Sequence, residues 1–181
     1  MLKKLLSIYK VPLILSLTVF VTLVAVRGLS DPFRIVGIFI GCALGTFMLD
    51  LDYILYAYVL EPKKEFSRAI VGYLKHKDIV NAMLYIQYHK DEITDRVLNS
   101  ALFQSIFALF AVFVVASGTS LLLKALVLST VANSMYRLAE AYFEKRTGMW
   151  FWALKKKPGK QGVALYSLVL VAIFVYCVSI F

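Results

Sequence analysis

The sequence predicts an all-α membrane protein: a polytopic bundle of about five transmembrane helices with an amphipathic helical insert. Hydrophobic residues make up 61% of the 181-residue chain, whereas a soluble domain has about 45–50%. These residues are concentrated in separate blocks, and the basic residues lie mostly in alternate connections between the blocks. The blocks use most of the chain, so residues 1–181 are predicted to form a single integral membrane domain.

The first predicted crossing covers residues 11–27 and follows three basic residues, Lys3, Lys4 and Lys10. A basic start before an apolar run is also typical of a signal peptide. This run is long, however, and it ends at Val26-Arg27-Gly28 without a small-x-small cleavage site. We therefore favour an uncleaved first helix over a cleaved signal.

The second predicted crossing covers residues 33–52 and is preceded by Asp31-Pro32, a typical helix start. About 20 apolar residues are needed to cross a bilayer. A helix that enters at residue 33 has therefore nearly completed its crossing when it reaches Asp50. The sequence places Asp50 and Asp52 near the inner interface, not in the middle of the membrane.

The segment 61–99 is polar but periodic, with apolar residues at helical spacing on both sides of Asp78. We predict two short amphipathic helices, with Asp78 as the N-cap that divides them. Their polar faces are basic, which suits a position on the membrane surface or beneath the bundle. His76 and His89 are each followed by lysine and aspartate, and we interpret them as solvated surface residues.

A helical hairpin and a final crossing complete the predicted bundle. Residues 101–117 and 120–142 are apolar runs joined by a Ser-Gly-Thr-Ser turn. A basic loop, 145–161, contains both tryptophans and leads to the last run, 163–181. The two cysteines fall within apolar runs, and we interpret them as buried small hydrophobic side chains.

The basic residues predict the orientation of this bundle. With the N-terminus inside, sixteen of the 20 Lys and Arg residues fall in inner segments, and only Arg27 and Arg34 fall in outer ones. Because Lys and Arg are retained on the cytoplasmic side, we predict a multi-pass cell-membrane protein with a cytoplasmic N-terminus and an external C-terminus. Lys124 and Arg137 lie near the outer and inner ends of the fourth run, where each can reach an interface.

The charge also indicates partners. A basic inner surface predicts contact with a lipid bilayer that carries anionic headgroups, and a protein partner at the cytoplasmic face is a further expectation. Nucleic-acid binding is disfavoured, because no DNA- or RNA-binding motif accompanies the charge.

Asp50 and Asp52 are the main candidate site. Paired carboxylates beside a membrane suit a hard divalent cation. Residues two apart on an α-helix point about 200° away from each other. Both aspartates can therefore serve one site only if the helix ends or unwinds there. The alternative is a pair of interfacial carboxylates that mark a helix end.

Other polar residues fall within the third and fourth runs. Arg137, Glu140 and Glu144 share one helix face, where they form either a local ion pair or, through Glu140, part of the aspartate site. Gln104 and Asn133 are amides inside the crossings. We interpret these amides as inter-helix hydrogen-bonding residues, with a substrate or metal contact as the alternative.

The order of features along residues 35 to 160 follows a known pattern. A small-residue helix, Gly41 to Gly45, leads to Leu49-Asp50-Leu51-Asp52-Tyr53, and the segment Asn99-Ser100-Ala101-Leu102-Phe103-Gln104-Ser105 opens the hairpin. The rest of the pattern lies on the return helix and the basic loop, at Asn133, Tyr136, Glu140, Gly148, Trp150, Trp152 and Lys155 to Lys157. This layout resembles the bacterial family of inner-membrane-associated metal-dependent hydrolases, the LexA-binding type.

The resemblance implies a metal-dependent hydrolase, with Asp50 and Asp52 at the aspartates of the family motif and Glu140 near the acid of its return helix. Gln104 stands where the family has a histidine, and the family's other histidines are missing. Zn²⁺ usually takes imidazole ligands, whereas an all-oxygen set of Asp50, Asp52 and Glu140 suits Mg²⁺. A divalent metal, Mg²⁺ or Zn²⁺, is therefore the expected cofactor of this activity.

Two functions follow from the sequence. The first is a divergent metal-dependent hydrolase that acts at the cytoplasmic membrane interface on a lipid-linked or phosphorylated substrate. In it, Asp50, Asp52 and Glu140 are catalytic and metal-binding, and a metal-activated water is the nucleophile.

The alternative is a non-catalytic membrane scaffold that binds lipid or a protein partner through the 61–99 insert and the 145–161 loop. A transporter is disfavoured, because few polar residues lie at mid-membrane and no inverted repeat is evident. The sequence does not decide whether the chain is an enzyme.

Overall fold

The computed structural model describes residues 2–89, 97–155 and 157–181 of the chain. Helix accounts for 81% of the described residues, and these ranges contain no strand, so the prediction of an all-α fold is confirmed. Three residues that the sequence assigns to the inner surface, Lys90, Arg96 and Lys156, lie outside the described residues.

Nine α-helices form the described chain, and two short turns of other helix types interrupt the second membrane segment. The helices are α1 Leu2–Arg27, α2 Pro32–Phe47, α3 Leu51–Leu55, α4 Glu65–Lys75, α5 Ile79–His89, α6 Ala101–Ala116, α7 Leu121–Phe143, α8 Thr147–Trp150 and α9 Lys160–Ser179. A 3₁₀ turn, Met48–Asp50, precedes α3, and a π-helical turn, Tyr56–Leu60, follows it.

Local chemistry explains where several helices begin. The Asp31 carboxylate accepts a bond from the Phe33 amide at 3.0 Å, and Pro32 occupies the first turn of α2. Asp78 divides α4 from α5 and accepts a bond from the Asn81 amide at 3.2 Å. Ser100 caps α6 through the Phe103 amide. Each cap supplies an acceptor for a backbone N–H that has no partner inside its helix.

The contact between α2 and α7 is the largest between helices in the described chain. Two glycines of α2 allow it. A Cβ atom on Gly41 would lie 2.3 Å from the Leu122 carbonyl oxygen, and one on Gly45 would lie 2.6 Å from the Leu126 carbonyl oxygen. Glycines four residues apart thus let the two backbones touch, as in small-xxx-small helix pairs of membranes.

A layer of buried hydroxyl and amide groups joins α1 to this pair of helices. Thr46 Oγ1 donates to Ser16 Oγ at 2.7 Å, and Ser16 Oγ lies 2.9 Å from Ser129 Oγ. Asn133 Nδ2 donates to Ser16 Oγ at 2.9 Å. Hydrogen bonds between side chains of different helices stabilise a bundle in which lipid offers no competing partner.

Apolar side chains also cover the outside of the bundle. Three helical segments are long and apolar enough to cross a membrane: Tyr9–Arg27, Pro32–Leu60 and Lys160–Ser179. Only 22%, 44% and 17% of their most apolar stretches is buried inside the protein. A shorter apolar helix, Ala101–Ala116, accompanies them. Soluble proteins rarely expose apolar surface on this scale, so the fold is that of a membrane protein.

Candidate functional site

The candidate site lies at the end of the α2–α7 pair where the 3₁₀ turn tightens the chain. Asp50, the last residue of that turn, is 7% exposed and binds two side chains from distant helices. Arg137 Nη2 on α7 donates to Asp50 Oδ1 at 2.6 Å, and the Tyr9 hydroxyl on α1 donates to Asp50 Oδ2 at 2.8 Å. Asp50 therefore connects the turn after α2 to both α1 and α7 through its two oxygens.

Asp52 is 1% exposed and binds the segment that leads into α6. Its Oδ1 accepts from the Val97 amide at 3.1 Å, and its Oδ2 accepts from the Asn99 amide at 3.0 Å and from Asn99 Nδ2 at 2.9 Å. Asn99 Nδ2 also donates to the Leu49 carbonyl at 3.1 Å. Three N–H donors compensate the buried carboxylate for the water that it has lost.

Asn99 and Arg137 join the two aspartates into one network. Arg137 Nη1 donates to Asn99 Oδ1 at 3.1 Å, so a chain of hydrogen bonds runs from Tyr9 through Asp50, Arg137 and Asn99 to Asp52. We name these five residues the inner network. It contains two carboxylates and one guanidinium, and each charged group has several partners. Buried charges are stable in a protein only when they are paired and hydrogen-bonded in this way.

The change of helix type explains how both aspartates enter one network. On a continuous α-helix Asp50 and Asp52 would face away from each other. The chain instead passes through the 3₁₀ turn and then the short helix α3. Asp50 faces α1 and α7, while Asp52 faces the residues before α6, and Asn99 bridges the two sides. The helix is interrupted at the position where the sequence argument required it.

A polar cleft opens beside the inner network. Two arginines and two glutamates line it: Arg137, Arg146, Glu140 and Glu144. Arg146 forms an ion pair with Glu144 across the start of the loop that follows α7. The aromatic side chains of Tyr9, Tyr53, Tyr136 and Trp150 complete much of the wall. The cleft thus offers both signs of charge and several ring faces.

Comparison with protein-family models, with curated proteins and with solved structures found no match to this chain.

The structure places some of the predicted site residues in the cleft and others in hydrogen bonds outside it. Glu140 lines the cleft beside Arg137 and Asn99. Arg137 forms an ion pair with Asp50, 87 positions away in the chain, a partner that the sequence did not predict. Asp50 and Asp52 do not line the cleft in the described part of the protein; their carboxylates face the inner network.

The amides of Gln104 on α6 and Asn133 on α7 form inter-helix hydrogen bonds. Gln104 Oε1 accepts from Trp150 Nε1 and from the Tyr166 hydroxyl, each at 3.1 Å, and so ties α6 to α8 and α9. Asn133 binds Ser16 of α1, as described above. Trp150 also lines the cleft. Its hydrogen bond to Gln104 therefore holds one side chain of the cleft wall in position.

The inner network does not fit a divalent-metal site at Asp50 and Asp52. Their oxygens accept bonds from five protein donors, and the cation that Asp50 faces is a guanidinium 2.6 Å away. Among the described residues, no group of three or more His, Cys, Asp or Glu is placed to hold a metal ion. The metal-dependent hydrolase suggested by the family resemblance stays a prediction.

Sequence reasoning missed Tyr9 and Asn99 as site residues. Tyr9 sits just before the first apolar run, where a tyrosine is typical of the interface. Asn99 stands directly before the Ser100 cap of α6, so its position could have been read as part of a helix start. Neither signal names a partner, because Asp50 and Asp52 are 41 and 47 positions away.

Proposed function

We propose that this protein is a five-crossing membrane protein that binds a zwitterionic polar group in the cleft at its cytoplasmic end, without metal-dependent catalysis. A single observation carries the proposal: the inner network uses the carboxylates of Asp50 and Asp52 as structural acceptors, while the adjoining cleft holds two arginines and two glutamates. In this view the aspartates build the site, and the groups of the cleft bind the ligand.

The dimensions of the hairpin support five crossings. At 1.5 Å per residue, the 16 residues of α6 and the 23 residues of α7 span roughly 24 Å and 35 Å. The hydrocarbon core is about 30 Å thick. Each charged residue of α7 that lies near the bilayer also has a partner: Lys124 Nζ donates to the Val115 carbonyl at 2.7 Å, and Arg137 binds Asp50. Because both charged side chains have partners, the free-energy cost of inserting α7 into the membrane is lower.

The distribution of basic residues supports the orientation. The segments 61–99 and 145–161 carry most of the chain's lysines. Lysine-rich connections of this kind are retained in the cytoplasm. The cleft then opens at the cytoplasmic interface. Exposed basic residues of α4 and of the 145–161 loop would hold this face against anionic headgroups.

Labelling of single cysteines tests the orientation, because the two native cysteines are buried. A membrane-impermeant maleimide is expected to label Arg34→Cys and Thr119→Cys in intact cells. It is expected to label Lys63→Cys and Lys155→Cys only after the cells are permeabilised. Labelling of Lys63→Cys in intact cells would contradict the orientation and with it the cytoplasmic cleft.

The lining of the cleft supports a zwitterionic ligand over an anionic one. Formal charges of the lining residues balance, since the lining has two arginines and two glutamates, with Arg146 paired to Glu144 and Arg137 to Asp50 behind the wall. A group that carries only phosphate would meet two carboxylates, whereas a phosphate with an amine meets a charge of opposite sign at both ends. Aromatic faces in the wall also attract an ammonium group.

Binding of a water-soluble headgroup tests this function. Purified protein in nanodiscs is titrated with glycerophosphoethanolamine or with glycerophosphoglycerol, and contacts are detected by saturation-transfer NMR. We expect the first compound to bind and the second to bind at least about tenfold more weakly. Glu140→Gln is expected to weaken binding, while Glu65→Gln, an exposed change on α4 outside the cleft, leaves it unchanged.

The opposing outcome is equally specific. If Mg²⁺ or Mn²⁺ raises the thermal midpoint of the protein, and Asp52→Asn removes that effect while keeping the fold, the aspartates hold a metal and the proposal is wrong. If neither headgroup compound binds, the cleft is not a headgroup site.

A further inference from the structure

A second, apolar cavity lies beside the cleft. This groove has an empty volume of about 920 Å³ and is formed by residues of α1, α7 and α9. Its walls are almost entirely aliphatic or aromatic, with Leu15, Met135, Leu170 and Phe174 among them. Two of its three helices, α1 and α9, contain candidate membrane spans, so the groove faces the hydrocarbon region of the bilayer.

The groove and the polar cleft adjoin each other along two helices. Tyr136 of α7 lines both cavities. Next to it, Arg137 and Glu140 line the cleft, while Leu138 and Ala139 line the groove. On α1 Pro12 lines the cleft, while its neighbours Val11 and Leu15 line the groove. The two cavities therefore adjoin at Tyr136, and the lining changes from charged to apolar within a few residues.

The groove runs along the helices, in the direction of a lipid chain. Its lining extends from Ala132 to Ala139 on α7 and from Ser167 to Phe174 on α9. Seven residues of helix correspond to roughly 10 Å, which is a large part of one leaflet in a hydrocarbon core about 30 Å thick. With the cleft at the cytoplasmic interface, the groove extends from that interface towards the middle of the membrane.

We propose that the cleft and the groove together hold one phospholipid of the cytoplasmic leaflet, with its zwitterionic headgroup in the cleft and an acyl chain in the groove. This inference rests on the proposed function and adds the apolar half of the ligand. The shared lining residue Tyr136 supports this occupant, because it places a charged cleft directly beside an apolar groove. A partner helix, about 10 Å wide with its side chains, would fill the groove but would leave the charged cleft without a ligand.

The lateral position of the groove also defines the entry route. Ala139 and Val171 line it and are exposed on the outer surface of the bundle. A lipid can therefore enter sideways from the leaflet, and its headgroup need not leave the interface. Such entry avoids the cost of moving a charged headgroup through hydrocarbon.

Photo-crosslinking tests the proposal in nanodiscs that contain phosphatidylethanolamine with a diazirine on one acyl chain. We expect crosslinks on α7 and α9 residues of the groove. Val171→Trp, which narrows the groove, is expected to lower this crosslinking and the lipid retained in native mass spectrometry about tenfold, equivalent to roughly two buried methylene groups. Leu168→Trp is the matched control, because Leu168 is 66% exposed on the same helix and does not line the groove.

Two results would overturn the inference. One is equal crosslinking in Val171→Trp, Leu168→Trp and the parent chain. The other is binding of glycerophosphoethanolamine as tight as that of the full phospholipid, which would mean that the acyl chain contributes nothing. In both cases the proposed headgroup site survives if the chainless compound still binds. Loss of binding by every headgroup compound removes the proposed function itself.

A second variant protects the test against a folding defect. Ala139→Phe fills the groove from α7 at an exposed position. It is expected to lower acyl crosslinking as Val171→Trp does, while both variants keep the thermal midpoint of the parent chain. Lower crosslinking in one variant and parent-like crosslinking in the other contradicts a single chain path through the groove.

Discussion

The guanidinium of Arg137 lies 2.6 Å from the carboxylate of Asp50, although the two residues are 87 positions apart in the chain. Their side chains are only 14% and 9% exposed. This ion pair lies at the Asp50 end of the α2–α7 contact, and Gly41 and Gly45 allow the close approach along the rest of it. The same arginine reaches Asn99 and lines the cleft, so packing of the bundle and shape of the candidate site depend on one residue.

Breaking the Asp50–Arg137 pair is expected to destabilise the protein strongly. Asp50→Asn leaves the Arg137 charge buried without its carboxylate, and loss of one partner of a buried pair costs about 3–5 kcal/mol. Thermal unfolding in detergent measures the effect. The control is Arg34→Gln, since the Arg34–Asp31 pair is 62% and 45% exposed and a surface pair contributes about 0–1 kcal/mol. Equal midpoints for the two variants would contradict a structural role for Asp50.

Replacing Asp52 is expected to loosen the segment before α6. Asp52→Asn keeps the side-chain volume but replaces one of the two acceptor oxygens by an NH₂ group, which leaves at least one buried donor unsatisfied at a cost of about 1–3 kcal/mol. Hydrogen exchange at the Val97 and Asn99 amides reports the change, because both donate to Asp52.

Asp78, the aspartate that caps α5, gives the control for that measurement. Asp78→Asn changes an acceptor of the Asn81 amide at the start of α5. It is expected to alter exchange near residue 81 and to leave residues 97 and 99 at their parent rates. Unchanged exchange at residues 97 and 99 in Asp52→Asn would show that Asp52 does not hold this segment.

The three glycines of α2 are expected to differ in their tolerance of alanine. Gly41→Ala and Gly45→Ala push a methyl group against α7 backbone, and overpacking of this kind costs about 1–3 kcal/mol. Gly37→Ala meets no atom within 4 Å, so it is expected to be neutral or to stabilise the helix by up to about 1 kcal/mol. Thermal midpoints in detergent rank the three variants. Destabilisation by Gly37→Ala equal to that by Gly41→Ala would contradict the close contact.

The sequence predicted much of the fold because bilayer hydrocarbon allows a spanning chain few choices. An apolar run must satisfy its backbone internally, so the runs beginning near residues 11, 33, 101, 120 and 163 all form helices. Asp78 was predicted as the cap that divides the insert, and its carboxylate accepts the Asn81 amide. These features depend on residues close together in the chain.

The partners within the site could not be predicted in the same way. The i, i+3 spacing on α7 suggested a local pair between Arg137 and Glu140, while the ion pair to Asp50 depends on how two distant helices pack. Periodicity gives the face of a helix but not its neighbour. The contact of Asn99 with Asp52 likewise appears only when the chain between them has folded back.

The bond from Trp150 to Gln104 gives a spectroscopic test of the wall of the cleft. Gln104→Met removes the acceptor of the Trp150 indole, and a buried donor left unsatisfied costs about 1–3 kcal/mol. The Tyr166 hydroxyl keeps the Ala101 carbonyl as an acceptor at 3.0 Å. Because the chain has two tryptophans, the measurement uses a Trp152→Phe background. We expect the Trp150 emission maximum and its quenching by a headgroup compound to change in Gln104→Met.

Ser105→Ala is the control, since Ser105 lies 3.2 Å from the Tyr166 hydroxyl but leaves the indole bond intact. If Gln104→Met and Ser105→Ala give the same emission and the same headgroup affinity, Gln104 does not position this wall, and the shape of the cleft must depend on other contacts of α8.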